Sequence, residues 1–370
     1  MSEFKETDVL IIGCGIAGGV TALQLANNGI QVTIITRSSR PEESNTFYAQ
    51  GGIIYKGKKD SAQLRSEDLN RAGAGHSNPK AVKLMAEKGP ELVRKILLDK
   101  LKVPFDRDED GDFSLVTEGS HSTARILHCH DNTGEIIQKN LIKVLVKHPN
   151  IQILTGYTAV DLLTPSHHSL NRLDVYKEHS CSGAYIFDQK NEIVIPILAR
   201  KTVLATGGLG QIYLRSSNPN WARGDGLAMA YRAGARAINC EFIQFHPTTF
   251  HYRMAPHFLI SESVRGAGAR LVDDRGEPFM QKYDAEWKDL APRDVVSRAI
   301  HEEMLINDIP NVYLDFTSYL PPSEIKTRFP KIYQSCLEYG IDITRETVPV
   351  VPGCNYIGGG GRGVLCTHEI

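Results

Sequence analysis

One segment constrains this chain more than any other. Asp8-Val-Leu-Ile-Ile12 is followed at once by Gly13-Cys-Gly15-Ile-Ala-Gly18-Gly19. A short apolar run bounded by glycine reads as a buried strand of a parallel sheet. Val20, Leu23, Leu25 and Ala26 then line an apolar helix that stops at Asn27-Asn28-Gly29. Gln31-Val-Thr-Ile-Ile35 reads as the second strand. Glycines at 13, 15 and 18 make a tight turn, admit a pyrophosphate to the backbone and aim a helix N-terminus at it. The spacing alone is a weak signal; between a strand and an apolar helix it is specific. It predicts a Rossmann-type α/β domain whose Gly13, Cys14, Gly15, Ile16, Ala17 and Gly18 touch a dinucleotide. The acidic ribose partner expected after the second strand is missing, since Thr36, Arg37 and Ser38 stand there. Arg37 suits a phosphate, so NADP stays open at this step.

Two further glycine clusters narrow the choice. Ser44-Asn-Thr-Phe-Tyr-Ala-Gln-Gly-Gly52 is a small-polar loop. The plain alternative is a surface turn. Phe47, Tyr48 and Gly51-Gly52 would also suit a backbone wrapped around a flat ring. Ala205-Thr-Gly-Gly208 ends a strand abruptly, where small residues let the chain pass close to a ligand. Together with the first motif it points to FAD rather than to a nicotinamide dehydrogenase.

Lys+Arg is 42 and Asp+Glu is 43, for a net charge of −1. That balance argues against bulk-charge binding to nucleic acid or an anionic membrane. No apolar run reaches the roughly 18 residues of a membrane span, and Met1–Lys5 lacks a signal-peptide core. The seven cysteines are scattered and form no CxxC pair, which fits a reducing, cytoplasmic compartment. His128-Cys129-His130 invites a metal reading, but no third ligand is evident, so no metal is expected.

At roughly 150 residues per domain, 370 residues suggest two or three domains. Helices are expected between Ser61 and Leu98, broken near Gly73-Ala-Gly75 and Asn78-Pro79. Another is expected over Thr133–Val146, capped by Asp131 or Thr133. From 151 to 203 the pattern turns β, with strands at 151–154, 184–187, 193–195 and 202–205 and an exposed hairpin loop over 166–182. Gly224-Asp225-Gly226 opens an Ala-rich helix. Beyond Ala237 the composition shifts to aromatics, prolines and charge, which suggests a second domain.

Charged and titratable residues that could carry chemistry recur on both sides of that boundary. Glu118-Gly-Ser-His-Ser122 and Arg125-Ile-Leu-His128 place a carboxylate, imidazoles and a guanidinium close in sequence. Gln244-Phe-His246-Pro-Thr248, Glu262-Ser-Val-Arg265 and Arg293-Asp-Val-Val-Ser-Arg298 follow. Glu262 and Arg265 are three apart and would share a helix face; the plain alternative is a surface ion pair. Buried, such a set would grip dicarboxylates through Arg forks and carry protons.

With these motifs in this order, the chain resembles the succinate dehydrogenase/fumarate reductase flavoprotein family, in particular its L-aspartate-oxidising branch, from about Asp8 to about Pro352. The resemblance implies an FAD domain over 1–236, an inserted α+β capping domain over 237–352, and an active site between them. The implied reaction moves hydride from L-aspartate to the flavin, giving iminoaspartate. Oxygen or fumarate then reoxidises the flavin, and quinolinate synthase takes the product toward NAD. Asn45 stands where relatives attach FAD to histidine, so FAD is expected to be non-covalent. The implied cofactor residues are the first glycine motif, Arg37, Asn45, Thr46, Phe47, Tyr48, Ala49, Gln50, Gly51, Gly52, Thr158, Ala159, Ala205, Thr206, Gly207 and Asp225. Glu118 would face the substrate ammonium, and His246 and Thr248 a substrate carboxylate. Arg293 would be the proton donor or acceptor, with Glu262 and Arg265 as its relay. A fumarate reductase or succinate oxidase, an inactive FAD-binding remnant, and half of a split enzyme are the alternatives.

After Pro349-Val-Val-Pro352 the sequence departs from the family pattern. Asn355 replaces an expected substrate-binding histidine, and Gly358–Gly361 and the residues to Ile370 read as a divergent tail over 353–370. A shifted or truncated reading frame, or a split protein, is the expectation this raises.

Overall fold

Val9, Leu10, Ile11 and Ile12 are all buried, so the end of this strand is covered on both faces. Only the centre of a sheet sandwiched between other layers allows that. In the computed structural model, which describes residues 5–118, 121–253 and 255–362, Lys5–Ile12 (β1) is such a strand. The helix Ile16–Ala26 (α1) leads from it to Val32–Thr36 (β2). Four more strands complete the sheet: Ile151–Thr155 (β3), Tyr157–Leu162 (β4), Gly183–Asp188 (β5) and Ile193–Leu204 (β6). Their order is β3-β2-β1-β6-β5-β4. The first four run parallel, with Ile11 opposite Ile34 and Val203, and β5 and β4 return antiparallel. Thr133–Leu145 (α2) packs with α1 over one face, through Leu141, Leu145, Ala22 and Leu23.

A second, antiparallel sheet follows: Ile243–Phe250 (β7), Arg270–Val272 (β8), Val312–Asp315 (β9) and Val348–Ile357 (β10), in the order β7-β10-β9-β8. Its own apolar core includes Phe250, Leu271, Ile300, Leu314 and Val350. β10 runs unbroken through Pro352 to Ile357, and Gly360–Arg362 pairs with Arg236–Ile238. The tail residues from 363 on lie outside the described residues.

Several local expectations change. The strands expected at 193–195 and 202–205 are one strand, β6, which tolerates Pro196 within it. β4 was not expected. The helices come as Ala62–Ala72 and Pro79–Val93, continued by a π-helical turn, Arg94–Lys100. Neither Asp131 nor Thr133 caps α2: its N-cap is Asn132, without a side-chain bond. The Asp131 carboxylate instead accepts from the backbone N–H groups of Lys331 and Ile332. Those amides open the helix Pro330–Glu338 in the second half of the chain. A carboxylate satisfies orphan helix amides wherever it comes from, and here it comes from across the fold.

Candidate functional site

A cavity of about 580 Å³ opens where β1 and β6 end. That is the edge of an α/β sheet where ligands bind, and the volume suits a small-molecule site. Its wall includes Gly13, Cys14, Gly15, Ile16 and Ala17 from the first motif, Asn45 and Thr46 from the second, and Ala205, Thr206 and Gly207 from the third. Arg37, Thr158, Ala159 and Asp225 complete the overlap with the expected residues. Glu43, Tyr157, Trp221 and Ile357 also line it, and nothing in the sequence pointed to them.

The cavity is made largely of backbone. A Cβ on Gly13 would overlap the carbonyl of Ala205, and one on Gly18 the carbonyl of Gly13. Gly18 thus serves the close packing of turn and helix and is absent from the wall. Gly13 also has φ +115°, where a side chain is strained. α1 carries no side-chain cap at Gly15, and only its Ile16 amide is taken, by Thr46 Oγ1 at 3.1 Å. A helix N-terminus left open on a cavity is a phosphate site. Arg37 is engaged: it pairs with Asp225 Oδ2 at 2.7 Å. The cation on which an NADP reading depends is therefore committed to a carboxylate.

Phe47, Tyr48, Ala49, Gln50, Gly51 and Gly52 do not line this cavity. Phe47 lies under Arg40, Lys139 and Lys331, and the Tyr48 hydroxyl bonds to Glu43. The end of the loop turns toward a second group of residues: the Gly52 amide donates to Glu118 Oε1 at 3.4 Å.

Glu118 is one of a cluster of charged side chains. Burial raises its carboxyl above the usual range, Arg293 opposes this and Glu262 adds to it. Arg293 opens the helix Arg293–Ile306. Its Nε donates to Glu262 Oε2 at 2.7 Å and its Nη1 to Gln244 Oε1 at 3.0 Å. Glu262 and Arg265 lie on the short helix Glu262–Gly266, both buried. They are not a surface pair. Arg265 donates from Nη1 to the carbonyl of Asp289. Its Nε and Nη2 have no hydrogen-bond partner among the described residues.

His246 and Thr248 straddle Pro247 on β7. Proline cannot donate to a ladder, and the pairing with β10 slips by a residue between His246 and Thr249. The Thr248 amide donates to His246 Nδ1 at 3.3 Å. The ring is therefore read as the tautomer with its proton on Nε2. Burial, then Arg293 and Arg265, hold the imidazole well below its ordinary pKa, so it is neutral. Thr248 is fully buried, and its hydroxyl donates to the carbonyl of Ile260 at 2.8 Å. It braces the approach to Glu262 rather than offering a free hydroxyl.

Next to His121 lies a buried ionic lattice. Arg125 forms ion pairs with Asp68 Oδ2 at 2.8 Å and Asp60 Oδ1 at 3.2 Å, and Arg65 Nη1 donates to Asp60 Oδ2 at 2.6 Å. Asp68 also accepts from the amide and hydroxyl of Ser122. This lattice anchors the turn that carries Glu118 and His121. Gly119 and Ser120 of that motif lie outside the described residues. The cysteines 14, 129, 181, 240, 336 and 354 are free.

Residues 8–362 match the family described as FAD binding domain. The chain belongs to that family. Asn45 lines the cavity, with its side-chain amide beside Gly207. The chain is similar to L-aspartate oxidase 1 of Ralstonia nicotianae, 42% identical over 356 residues, covering 95% of this chain and 64% of that protein. It is 40% identical to the L-aspartate oxidase of Pseudomonas aeruginosa, over 97% of this chain and 66% of that one. The chain thus spans just under two thirds of the length of these relatives. Among solved structures it resembles E. coli quinol fumarate reductase, with a TM-score of 0.86 at 25% identity, covering 97% of this chain and 62% of that chain. No helix among the described residues is long and apolar enough to cross a membrane.

Proposed function

We propose that the protein oxidises L-aspartate to iminoaspartate with FAD, in the cytoplasm, residues 1–236 holding the cofactor and 237–352 capping it. The observation that carries this reading is Glu118: a half-buried carboxylate, partly desolvated, beside the Arg293 cation of a dicarboxylate clamp. A substrate without an ammonium group would leave that carboxylate partly desolvated with only the Gly52 amide and the more distant Arg293 charge to offset it, which is costly. L-Aspartate supplies the missing cation.

Bound FAD supplies the hydride acceptor. The open N-terminus of α1 would hold its pyrophosphate, and Gly13, Gly207 and Ala205 would admit it to the backbone. Around the substrate, Glu118 pairs with the ammonium and orients it. His246 donates Nε2–H to a carboxylate as a neutral group and so leaves the total charge unchanged. Arg293, fixed at two nitrogens, clamps the carbons between the carboxylates by charge. A guanidinium stays protonated, so its defensible part is as clamp, and as acid when fumarate is reduced. Glu262 and Arg265 stand behind it as the route by which a proton is replaced. Oxygen or fumarate would restore the oxidised flavin, and quinolinate synthase would consume the product.

The test is anaerobic mixing of the flavin-loaded protein with L-aspartate or with succinate. Bleaching of the flavin absorbance by L-aspartate is expected. Bleaching by succinate alone would give the site to the fumarate/succinate chemistry instead, and bound flavin that neither reduces would mark an inactive remnant.

A further inference from the structure

Asn355 stands where a substrate-binding histidine was expected, and the structure gives it other contacts. Gln244 pairs with Tyr356, and Phe245 with Cys354, which leaves Asn355 as the extra residue of a β-bulge. Bulges re-aim side chains. Here Asn355 Nδ2 donates to Gln244 Oε1 at 3.3 Å, the same oxygen that accepts from Arg293 Nη1 at 3.0 Å. Asn355 is itself held. Ser217 Oγ donates to its Oδ1 at 2.8 Å, and Asn218 Nδ2 to its backbone carbonyl at 2.8 Å.

A primary amide has one accepting and one donating end. Arg293 can only donate, which turns the oxygen of Gln244 to it; Asn355 meets that same oxygen with its NH₂ and leaves its own oxygen to the Ser217 hydroxyl. A reversed Gln244 would set donor against donor at both contacts.

We infer that Asn355 is a positioning residue: placed by the bulge and held by Ser217, it locks the Gln244 amide with its oxygen toward Arg293, and Gln244 with Glu262 fixes the orientation of the Arg293 guanidinium. This rests on the proposed reading of Arg293 as the clamp over the reacting carbons. With Nε and Nη1 tied back, the remaining N–H groups of Arg293 are held in one orientation for the substrate.

The experiment is a double-mutant cycle on the flavin-loaded protein with N355D, Q244A and the double variant. Asn355→Asp keeps the shape and removes the donor. Two readouts are used: the limiting rate of anaerobic flavin reduction by L-aspartate, and the Kd of unreactive malonate from its perturbation of the flavin spectrum. N355D is expected to keep its flavin, to lower the limiting rate roughly 10–100-fold and to weaken malonate by about 5-fold. The double variant is expected to be no worse than Q244A alone, because both changes break one chain of bonds. Asn355→His, which restores an N–H donor, is expected to recover part of the rate. Losses that multiply in the double variant, or an N355D protein with wild-type rate and malonate affinity, would overturn the inference. If L-aspartate fails to reduce the wild-type flavin, the functional reading falls, and the malonate cycle still decides this one. Should N355D not load flavin, Ser217→Ala carries the same expectation at roughly threefold size in both readouts; no change there would count against the inference.

Discussion

The cofactor cavity and the charged cluster around Arg293 are built from opposite materials. The cavity is backbone, shaped by glycines and one uncapped helix end, and its polar side chains are neutralised in pairs such as Arg37–Asp225. The cluster is made of side chains: Glu118, His246, Glu262, Arg265 and Arg293 meet from four separate stretches of the chain, and the charges among them act on the protonation of Glu118, His246 and Arg265. A site made of backbone tolerates no added atom but is indifferent to charge. A site made of side chains leaves the cofactor in place when one of them changes, but depends on the charge and the fork geometry of each.

The sharpest way to break this contrast is Gly13→Ala. Added atoms at a positive φ and against the Ala205 carbonyl are expected to remove about 2–5 kcal/mol of stability. Flavin should be lost on gel filtration, read by absorbance; a flavin-loaded G13A protein would refute the steric account. Arg293→Lys should do the reverse, keeping flavin while lowering turnover by roughly 100–1,000-fold, since a point charge cannot engage Glu262 and Gln244 as a fork. Glu118→Gln is expected to raise the KM for L-aspartate roughly 10–100-fold while leaving binding of malonate, which has no ammonium, nearly unchanged. The wild-type KM should also climb as pH falls. The raised carboxyl of Glu118 takes up its proton above the usual carboxylate range and stops pairing with the ammonium, so the E118Q protein should lose that acid limb. His246, held neutral, should add no limb of its own near its ordinary pKa. The smallest effect belongs to neither site: Asp131→Ala uncaps the helix Pro330–Glu338, a loss of about 1–2 kcal/mol seen as a lower Tm with normal flavin content.

The same contrast explains what the sequence could reveal. The β1–α1–β2 unit and its glycines were legible because their logic is local: buried strand, tight turn and helix follow one another within a single stretch. Glu43, Trp221 and Ile357 at the cavity wall were not, because only the assembled fold brings them there. β4 escaped because Thr158 and Asp161 interrupt its apolar pattern at the edge of the sheet. β6 read as two pieces because Pro196 and Arg200-Lys201 disguise one strand. Within the cluster, spacing put Glu262 and Arg265 on one helix face, and likeness to the family singled out their role with Arg293. Burial of the pair, the hydroxyl of Thr248 spent on Ile260 and the bulge at Asn355 depend on pairing between β7 and β10, which no local pattern encodes.

β10 has a mechanical consequence. At about 3.4 Å per residue it is a rod roughly 30 Å long, with Val348 and Val350 clamped in the core of the second sheet and Ile357 in the wall of the cofactor cavity. Asn355 rides near its far end. A strand gripped at both ends passes tilt along its length and bends where it is bulged. Rocking of the second sheet therefore reaches the cavity wall and the Gln244–Arg293 pair together, with the bulge at Asn355 as the joint between them.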